Sequence, residues 1–235
     1  MSDPSLRRIK YVVFDCGGTL VDLVPEKWEC AHTLLTQLDL DIPLPFIQQA
    51  YRTVEFAMPQ KSSRERDAGD RVAYYDRFNR MICIQLGIES KWKRVNALFQ
   101  KQFPKMVQWR VFSDTWLCLE DLFPKLPLYV LANWDRHLPR VLEKNKLSSY
   151  FRAAFASQDL GSEKPDPEIF RAFLQRVGID AEACLYVGNE YLADVVGSRA
   201  CGFHPVLVDR AGFYPDVADC IKVKDLSVLA TMLTR

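Results

Sequence analysis

The apolar run that ends at Asp15 constrains the fold of this chain more than any other feature. Residues Tyr11-Val12-Val13-Phe14 form the run, and Cys16-Gly17-Gly18-Thr19-Leu20 follows the acid directly. A short, continuously apolar run is typical of a parallel strand that is buried on both faces. Such a strand delivers the Asp15 carboxylate to the carboxyl edge of a sheet, where open α/β folds bind their ligands. The sequence therefore predicts a ligand site at Asp15, whose carboxylate can attack an electrophile and carry it covalently.

Four more short apolar runs follow, and helical patterns separate them. The runs cover residues 128–132, 153–157, 184–187 and 205–208. Asp166-Pro167-Glu168 is a typical helix start, with a capping acid and a proline in the first turn, and Gly178 closes that helix. A second helical pattern, after the 184–187 run, consists of Leu192, Val195, Val196 and Ala200. This alternation predicts the α/β class, with a Rossmann-like, doubly wound parallel sheet.

The segment 21–109 differs from the rest because it carries helical periodicity and no convincing strand. Its four apolar stripes begin at Trp28, Ile47, Tyr75 and Trp92. We therefore predict a sheet core of residues 1–20 and 110–235, with an inserted helical cap at 21–109. The charged run 64–71 is predicted to be a solvated loop. A second interpretation is that Arg64, Arg66 or Arg71 reaches an anionic substrate.

The composition excludes several classes of protein. Hydrophobic residues make up 49% of the chain and charged residues 26%, as in soluble globular proteins. We expect a cytoplasmic protein, because there is neither a transmembrane-length apolar run nor an apolar segment before the first strand. A net charge of +1 gives no reason to expect nucleic acid or a membrane as partner. The seven cysteines form no C-x-x-C pair and indicate reduced thiols. The oligomeric state stays open.

Polar residues follow several of the predicted strands, and chemistry gives each of them a role. Asp15 is the candidate nucleophile. Lys164 is a positive charge that can hold Asp15 ionised and neutralise developing negative charge. Asn133 can donate hydrogen bonds to an anionic group. Gly17 and Gly18 allow backbone amides to approach an anion closely. These residues predict a small, anionic substrate.

The same edge of the sheet carries candidate ligands for Mg²⁺, which binds hard oxygen donors and keeps several waters. The donors are the Asp15 carboxylate, the Gly17 carbonyl oxygen and the side chain of Asp194, with Asn189 or Glu190 completing the set. The sequence thus predicts Mg²⁺ as the cofactor.

At this point the sequence resembles the haloacid dehalogenase (HAD) superfamily, in the subgroup with a helical cap inserted after the first motif. The resemblance covers almost the whole chain. It rests on F-D-x-x-G-T-L at 14–20, K-P-D-P-E-I-F at 164–170 and V-G-x-x-x-x-x-D-x-x-G at 187–197. It implies a hydrolase, most often a Mg²⁺-dependent phosphatase that forms an aspartyl-phosphate on a small phosphorylated metabolite. Some members instead displace halide from 2-haloacids or cleave phosphonates.

Three positions depart from the pattern of the family's phosphatases. Gly17 stands where an aspartate protonates the leaving group, Ala132 where a hydroxyl binds phosphate, and Asn189 where an aspartate binds the metal. The resemblance therefore implies a phosphatase with weakened acid–base catalysis and a weakened Mg²⁺ site, for which Glu190 could compensate. A substrate with a good leaving group, such as an acyl phosphate, needs no general acid. Two alternatives stay open: a metal-independent 2-haloacid dehalogenase-type hydrolase, and a catalytically impaired fold that acts as a binding module.

Overall fold

The computed structural model describes residues 4–58 and 68–233. The chain divides into two units. The sheet unit consists of Met1–Asp22 and Arg110–Arg235, and the helical unit consists of Leu23–Trp109. In the described part of the chain, no helix combines the length and the apolarity needed to cross a membrane.

The predicted contact of an arginine with the substrate falls in a part of the chain that is not described. Arg64 and Arg66 lie outside the described residues, and so does the side chain of Arg71. That interpretation therefore stays a prediction.

Eight strands occur in the described residues. In chain order they are β1 (Tyr11–Phe14), β2 (Val21–Val24), β3 (Gln108–Val111), β4 (Leu128–Ala132), β5 (Ala153–Ala156), β6 (Cys184–Gly188), β7 (His204–Val208) and β8 (Ile221–Val223). Six of them form one sheet in the order β5-β4-β1-β6-β7-β8. Every neighbouring pair in this sheet is parallel. The predicted Rossmann-like parallel sheet is confirmed.

The prediction that the segment 21–109 contains no strand was wrong at both ends. β2 begins at Val21 and β3 begins at Gln108, and the two form a separate two-stranded sheet. Each has four residues, and β3 alternates between exposed and half-buried positions, so neither carries the continuous apolar run of a buried strand. The edge strand β8 was missed for a similar reason, because Lys222 interrupts its three residues.

Ten α-helices occur in the described residues. They are α1 (Lys27–Thr36), α2 (Leu44–Ala57), α3 (Ala68–Gln85), α4 (Trp92–Met106), α5 (Ser113–Leu122), α6 (Leu138–Lys144), α7 (Ser157–Leu160), α8 (Pro167–Val177), α9 (Gly197–Arg199) and α10 (Leu229–Leu233). The first four belong to the helical unit and enclose their own apolar core. Its buried residues include Leu35, Ile47, Val54, Phe78, Ile82, Val95 and Phe99. Tyr75, which begins the third predicted stripe, is 42% exposed and does not belong to the buried part of this core.

The strand order puts the chain reversal of the sheet at β1. From β1 the chain builds one side of the sheet with β4 and β5, and the other side with β6, β7 and β8. Ligands of open α/β sheets bind at the carboxyl ends of the strands where this reversal occurs. Asp15 directly follows β1, Asn133 follows β4, and Asn189 follows β6. The topology therefore brings three of the predicted site residues to one edge.

An aromatic core supports this edge from the side of α8. Tyr186 and Phe170 are fully buried, and their ring centroids are 5.4 Å apart. Phe203 packs against both rings, at 5.6 Å from Phe170 and 5.9 Å from Tyr186. Edge-to-face packing of this kind stabilises aromatic pairs beyond their area of burial. It holds α8, which follows directly on the loop of Lys164, against β6.

The start of α8 has the predicted cap. The Asp166 carboxylate accepts a hydrogen bond of 2.9 Å from the Glu168 amide, and Pro167 occupies the first turn. At the other end, Gly178 adopts a φ of 74°, which favours glycine. Both signals that predicted this helix are confirmed.

We expect Asp166→Ala to lower the free energy of unfolding by about 1 kcal/mol, because the first-turn amide of Glu168 loses its acceptor. Asp166→Asn is the matched control, since asparagine caps helices about as well as aspartate. Urea denaturation of the three proteins measures the difference. Equal losses in both variants would show that the carboxylate stabilises the chain in some other way than as a cap.

Candidate active site

The turn after β1 is held tightly to its neighbours. The Asp15 amide donates to the Val187 carbonyl over 2.8 Å, which anchors the acid beside β6. The Cys16 carbonyl accepts from the amides of Leu20 and Val21 over 2.8 and 3.0 Å. Gly18 has a φ of +76°, and a Cβ there would lie 2.4 Å from the Asn189 amide nitrogen. Glycine at position 18 therefore satisfies both the left-handed turn and the close approach of Asn189.

Lys164 lies between two buried carboxylates. Its Nζ donates to Asp15 Oδ1 over 2.7 Å and to Asp194 Oδ1 over 2.5 Å. The exposed fraction is 5% for Lys164, 7% for Asp15 and 1% for Asp194. Charges buried to this extent are found in proteins only where they are paired. The structure thus brings together the predicted nucleophile, the predicted charge stabiliser and one predicted metal ligand.

The protonation of this cluster reflects both burial and pairing. Burial raises the pKa of Asp15 to about 6, with Asp194 adding to the rise and Lys164 opposing it. Burial favours the neutral amine of Lys164, but the charges of Asp15 and Asp194 outweigh it and raise the pKa of Lys164 well above its ordinary value. Lys164 is therefore a fixed positive charge at neutral pH, and Asp15 is ionised above about pH 6.

Asn133 holds the backbone of Lys164. Its Nδ2 donates to the Lys164 carbonyl over 2.9 Å, and its Oδ1 accepts from the Lys164 amide over 2.8 Å. This pair of hydrogen bonds fixes the loop residue 164 to the end of β4. The predicted role of Asn133 as a donor to a bound anion stays a prediction, because these two bonds use its oxygen and one of its two N–H groups.

Two residues of this site were not among the predicted ones. The Thr19 hydroxyl lies 3.3 Å from Asp15 Oδ2 and 3.1 Å from Asn189 Oδ1. The Tyr186 ring lies 5.4 Å below Lys164 Nζ, and its hydroxyl donates to the Leu131 carbonyl over 2.7 Å. The available signals were a hydroxyl residue at the end of the glycine turn and a tyrosine in an otherwise aliphatic strand.

Asp194 reaches the cluster from a π-helical turn, Tyr191–Val196. Its Oδ2 accepts from the Glu190 amide over 2.8 Å, and a Cβ on Gly188 would lie 2.2 Å from its Cγ. Glycine at the end of β6 is therefore needed for Asp194 to fold back onto the strand. The wide turn also changes the predicted helical stripe, because Leu192 is 68% exposed while Asp194 points inward. Wide π turns of this kind are frequent at functional sites.

The chemical type of the donor atoms suits a Mg²⁺ ion, but the site carries little negative charge. The Asp15 and Asp194 carboxylates and the Asn189 amide oxygen are hard oxygen donors, as Mg²⁺ requires. Lys164 cancels one of the two negative charges, so two minus one leaves a single net negative charge. Within residues 4–58 and 68–233, no three His, Cys, Asp or Glu side chains come together in a metal-binding arrangement. The fit is therefore one of donor chemistry, and Asn189 contributes no charge to it.

We expect Lys164→Met to lower the free energy of unfolding by about 3–5 kcal/mol near neutral pH, because Asp15 and Asp194 stay buried without a counter-charge. The difference in unfolding free energy between Lys164→Met and the wild type should shrink as the pH falls. Carboxyl groups whose pKa is raised by folding bind more protons in the folded state, so acid favours that state.

Urea denaturation at about pH 8 and about pH 5 measures both effects. The control is Lys27→Met, which removes an ion pair with Glu55 in which both side chains are about one-third exposed. Such pairs contribute about 0–1 kcal/mol. If Lys164→Met lost no more stability than Lys27→Met, the idea of a buried pair holding the site together would be wrong.

Comparisons with known proteins identify the family of this chain. The family model of the haloacid dehalogenase-like hydrolases matches residues 9–202. The mouse haloacid dehalogenase-like hydrolase domain-containing protein 3 is 35% identical over 109 residues, 46% of this chain. That match spans 43% of the mouse protein, so this chain aligns with less than half of that relative's length.

Two further proteins match over most of the chain. The glyceraldehyde 3-phosphate phosphatase of Methanothermobacter thermautotrophicus is 27% identical over 210 residues, 86% of each protein. The putative HAD-hydrolase YfnB from Bacillus subtilis, solved bound to magnesium, has the same fold, with a TM-score of 0.70 over 97% of this chain and 100% of that one. Its sequence is 21% identical to this one. Since the family model covers most of the chain and the folds agree, this chain belongs to the haloacid dehalogenase-like hydrolase family.

Proposed function

We propose that this hydrolase is a phosphatase that acts on a small phosphorylated metabolite through a covalent aspartyl-phosphate on Asp15. The single observation that carries the proposal is the buried Lys164–Asp15 contact of 2.7 Å at the carboxyl end of β1. A carboxylate held ionised at this edge is a nucleophile, and the ammonium beside it stabilises the negative charge of a transferring phosphoryl group. The 86% coverage by the M. thermautotrophicus phosphatase supports the same reaction class.

The first step forms a bond between an Asp15 oxygen and phosphorus and breaks the bond from phosphorus to the leaving oxygen. The leaving oxygen takes the electron pair of that bond. Water then attacks the phosphoryl group, which releases inorganic phosphate and restores the Asp15 carboxylate. Lys164 faces the nucleophile throughout, and Asn133 keeps the Lys164 backbone in place. Thr19 fixes the second Asp15 oxygen, so that one carboxylate geometry is held.

Gly17 determines which substrates suit this site. It has no side chain to protonate the leaving oxygen, and proton transfer of this kind contributes about 10²–10⁴-fold to the rate. The carboxylate of an acyl phosphate and the phenolate of an aryl phosphate leave without such help, because carboxylic acids and phenols are much stronger acids than alcohols. We therefore propose an acyl phosphate or another phosphate ester with a good leaving group as the substrate class.

Mg²⁺ is the proposed cofactor. Asp15, Asp194, the Asn189 amide oxygen and the Gly17 carbonyl would hold it, and YfnB is a magnesium-bound relative in fold. When bound, the ion supplies positive charge to the phosphoryl oxygens. Because Asn189 is neutral, we expect weaker binding than at a site with three carboxylates.

The alternative is a metal-independent hydrolysis of 2-haloacids by the same nucleophile. Halide needs no proton to leave, so Gly17 is no disadvantage to this reaction. The two functions differ in product and in metal dependence, and one assay separates them.

We expect the wild-type chain to release phosphate from aryl and acyl phosphates with Mg²⁺, and Asp15→Asn to reduce the release to background. EDTA should lower the wild-type rate at least about 10-fold, because it removes the ion that supplies positive charge to the phosphoryl oxygens. Asp121→Asn, which changes an exposed acid on α5, is the matched control and should keep full activity.

Two assays are run in parallel on each protein. One measures phosphate release from the aryl and acyl phosphates, and the other measures chloride release from 2-chloropropionate. If only EDTA-insensitive chloride release depended on Asp15, the dehalogenase alternative would replace the phosphatase. If neither product depended on Asp15, the binding-module alternative would stand.

We expect Gly17→Asp to raise Mg²⁺-dependent hydrolysis of alkyl phosphates by at least about 10-fold, since it adds a general acid two residues from the nucleophile. Hydrolysis of aryl phosphates should change much less, because the leaving group needs no proton. Gly17→Asn, which is similar in size and cannot protonate the leaving oxygen, is the control. Equal rates for both variants on alkyl phosphates would show that the missing acid does not limit this site.

A further inference from the structure

Arg210 is a half-buried cation outside the predicted set. It contacts the turn of residues 15–20 that follows β1, which we call the nucleophile turn. Arg210 lies two residues after β7. Its Nη2 donates to the Thr19 carbonyl over 2.9 Å. The same guanidinium pairs with Asp114 through two contacts, Nη1 to Oδ1 at 3.0 Å and Nη2 to Oδ2 at 2.9 Å. This two-point geometry is specific to arginine, since a lysine provides a single point charge.

The arrangement around the guanidinium is rigid. Its Cζ lies 3.8 Å from the centre of the Phe112 ring, which covers one face of the plane. Asp114 also accepts from the Leu226 amide over 2.7 Å, so the acid is fixed independently of Arg210. Among the described residues, the buried Nε–H has no hydrogen-bond partner. Because this N–H group stays without a partner, the contacts of the two Nη atoms determine where the guanidinium lies.

The contacts of Arg210 converge on the residue that touches the nucleophile. Thr19 is fully buried, and its hydroxyl bridges Asp15 and Asn189. The next carbonyl, that of Leu20, accepts from the Phe112 amide over 3.1 Å and from the Thr115 hydroxyl over 3.0 Å. The exit of the nucleophile turn is thus fixed by the segment 112–115 and by the arginine that pairs with it.

We propose that Arg210 is a positioning residue for catalysis, which holds the Thr19 carbonyl so that the Thr19 hydroxyl stays on Asp15 and Asn189. The inference deepens the proposed function and rests on it for its kinetic readout. Arg210 itself does not touch the nucleophile, and it acts on the reaction through Thr19 alone. A displacement of about 1 Å at a reacting group can cost about 100-fold in rate.

The test uses Arg210→Lys. Lysine keeps the positive charge that faces Asp114, but it lacks the second N–H group with which the guanidinium also reaches the Thr19 carbonyl. We expect kcat on an aryl phosphate to fall about 10- to 100-fold, with KM changed less than about twofold, because the loss concerns the alignment of the nucleophile. In a Thr19→Val background the same substitution should change kcat less than about twofold, since the hydroxyl through which it acts is gone. Independent effects that multiply in the double variant would overturn the proposal.

The control is Arg199→Lys. Arg199 also makes two contacts through one guanidinium, to the Asp219 carboxylate over 2.7 Å and to the Asp219 carbonyl over 2.9 Å. Among residues 4–58 and 68–233, it makes no hydrogen bond to the nucleophile turn. The kcat of the Arg199→Lys variant should equal that of the wild type. If Arg210→Lys is too unstable to assay, Asp114→Asn replaces it, because it weakens the same pair and should lower kcat in the same direction. An unchanged kcat in a folded Asp114→Asn variant would count against the role of the pair.

Hydrogen–deuterium exchange separates this inference from the proposed function. In Arg210→Lys the amides of Leu20 and Val21, which bond to the Cys16 carbonyl, should exchange at least about 10-fold faster, and those of β4 and β6 should not change. Arg199→Lys should leave the peptide 15–21 as in the wild type. If the wild type hydrolyses no phosphate, the phosphatase proposal fails and exchange alone decides on Arg210. Unchanged exchange at Leu20 and Val21 would refute the positioning role in either case.

Discussion

The candidate site depends on the placement of one buried ammonium group between two carboxylates. Lys164 contacts both Asp15 and Asp194, and all three residues are at most 7% exposed. Burying a carboxylate at this depth is costly unless a positive charge lies beside it, because desolvation disfavours the charged form. The same contacts bring the loops after β5 and β6 to the end of β1, beside the proposed nucleophile.

The backbone around the cluster is arranged to make room for these contacts. Glycine at 18 lets Asn189 lie against the nucleophile turn, and glycine at 188 lets Asp194 fold back onto β6. At both positions a Cβ would overlap the side chain that approaches, so the two glycines are requirements of the site. The Asn133 side-chain amide adds a third constraint, because it bonds to both the carbonyl and the N–H group of the Lys164 backbone.

The three departures from the family's phosphatase motifs have different physical consequences. Gly17 removes a proton donor, and its effect falls on the leaving group. Asn189 removes a charge, yet its amide oxygen lies 3.1 Å from the Thr19 hydroxyl, whose single proton is shared between this oxygen and Asp15. Ala132 is fully buried at the end of β4 and removes a hydroxyl from that end. The chain thus carries the proposed nucleophile and its counter-charge, and it lacks the groups that the family's phosphatase pattern places at positions 17, 132 and 189.

The six-stranded sheet could be predicted from the sequence alone, except for its short edge strand β8. The helix that begins after Asp166 could be predicted as well. Both depend on interactions between neighbouring residues in the chain. Continuous apolar runs mark buried strands, and a capping acid with proline marks a helix start. β2 and β3 were missed because a strand of four residues without a continuous apolar run carries too weak a local signal. Only the tertiary structure decided which groups meet. Lys164 reaches Asp15 across 149 positions, and Arg210 reaches Thr19 across 191. No pattern within one strand or helix encodes such a contact, because it results from the order of strands in the sheet and from the volume left by two glycines.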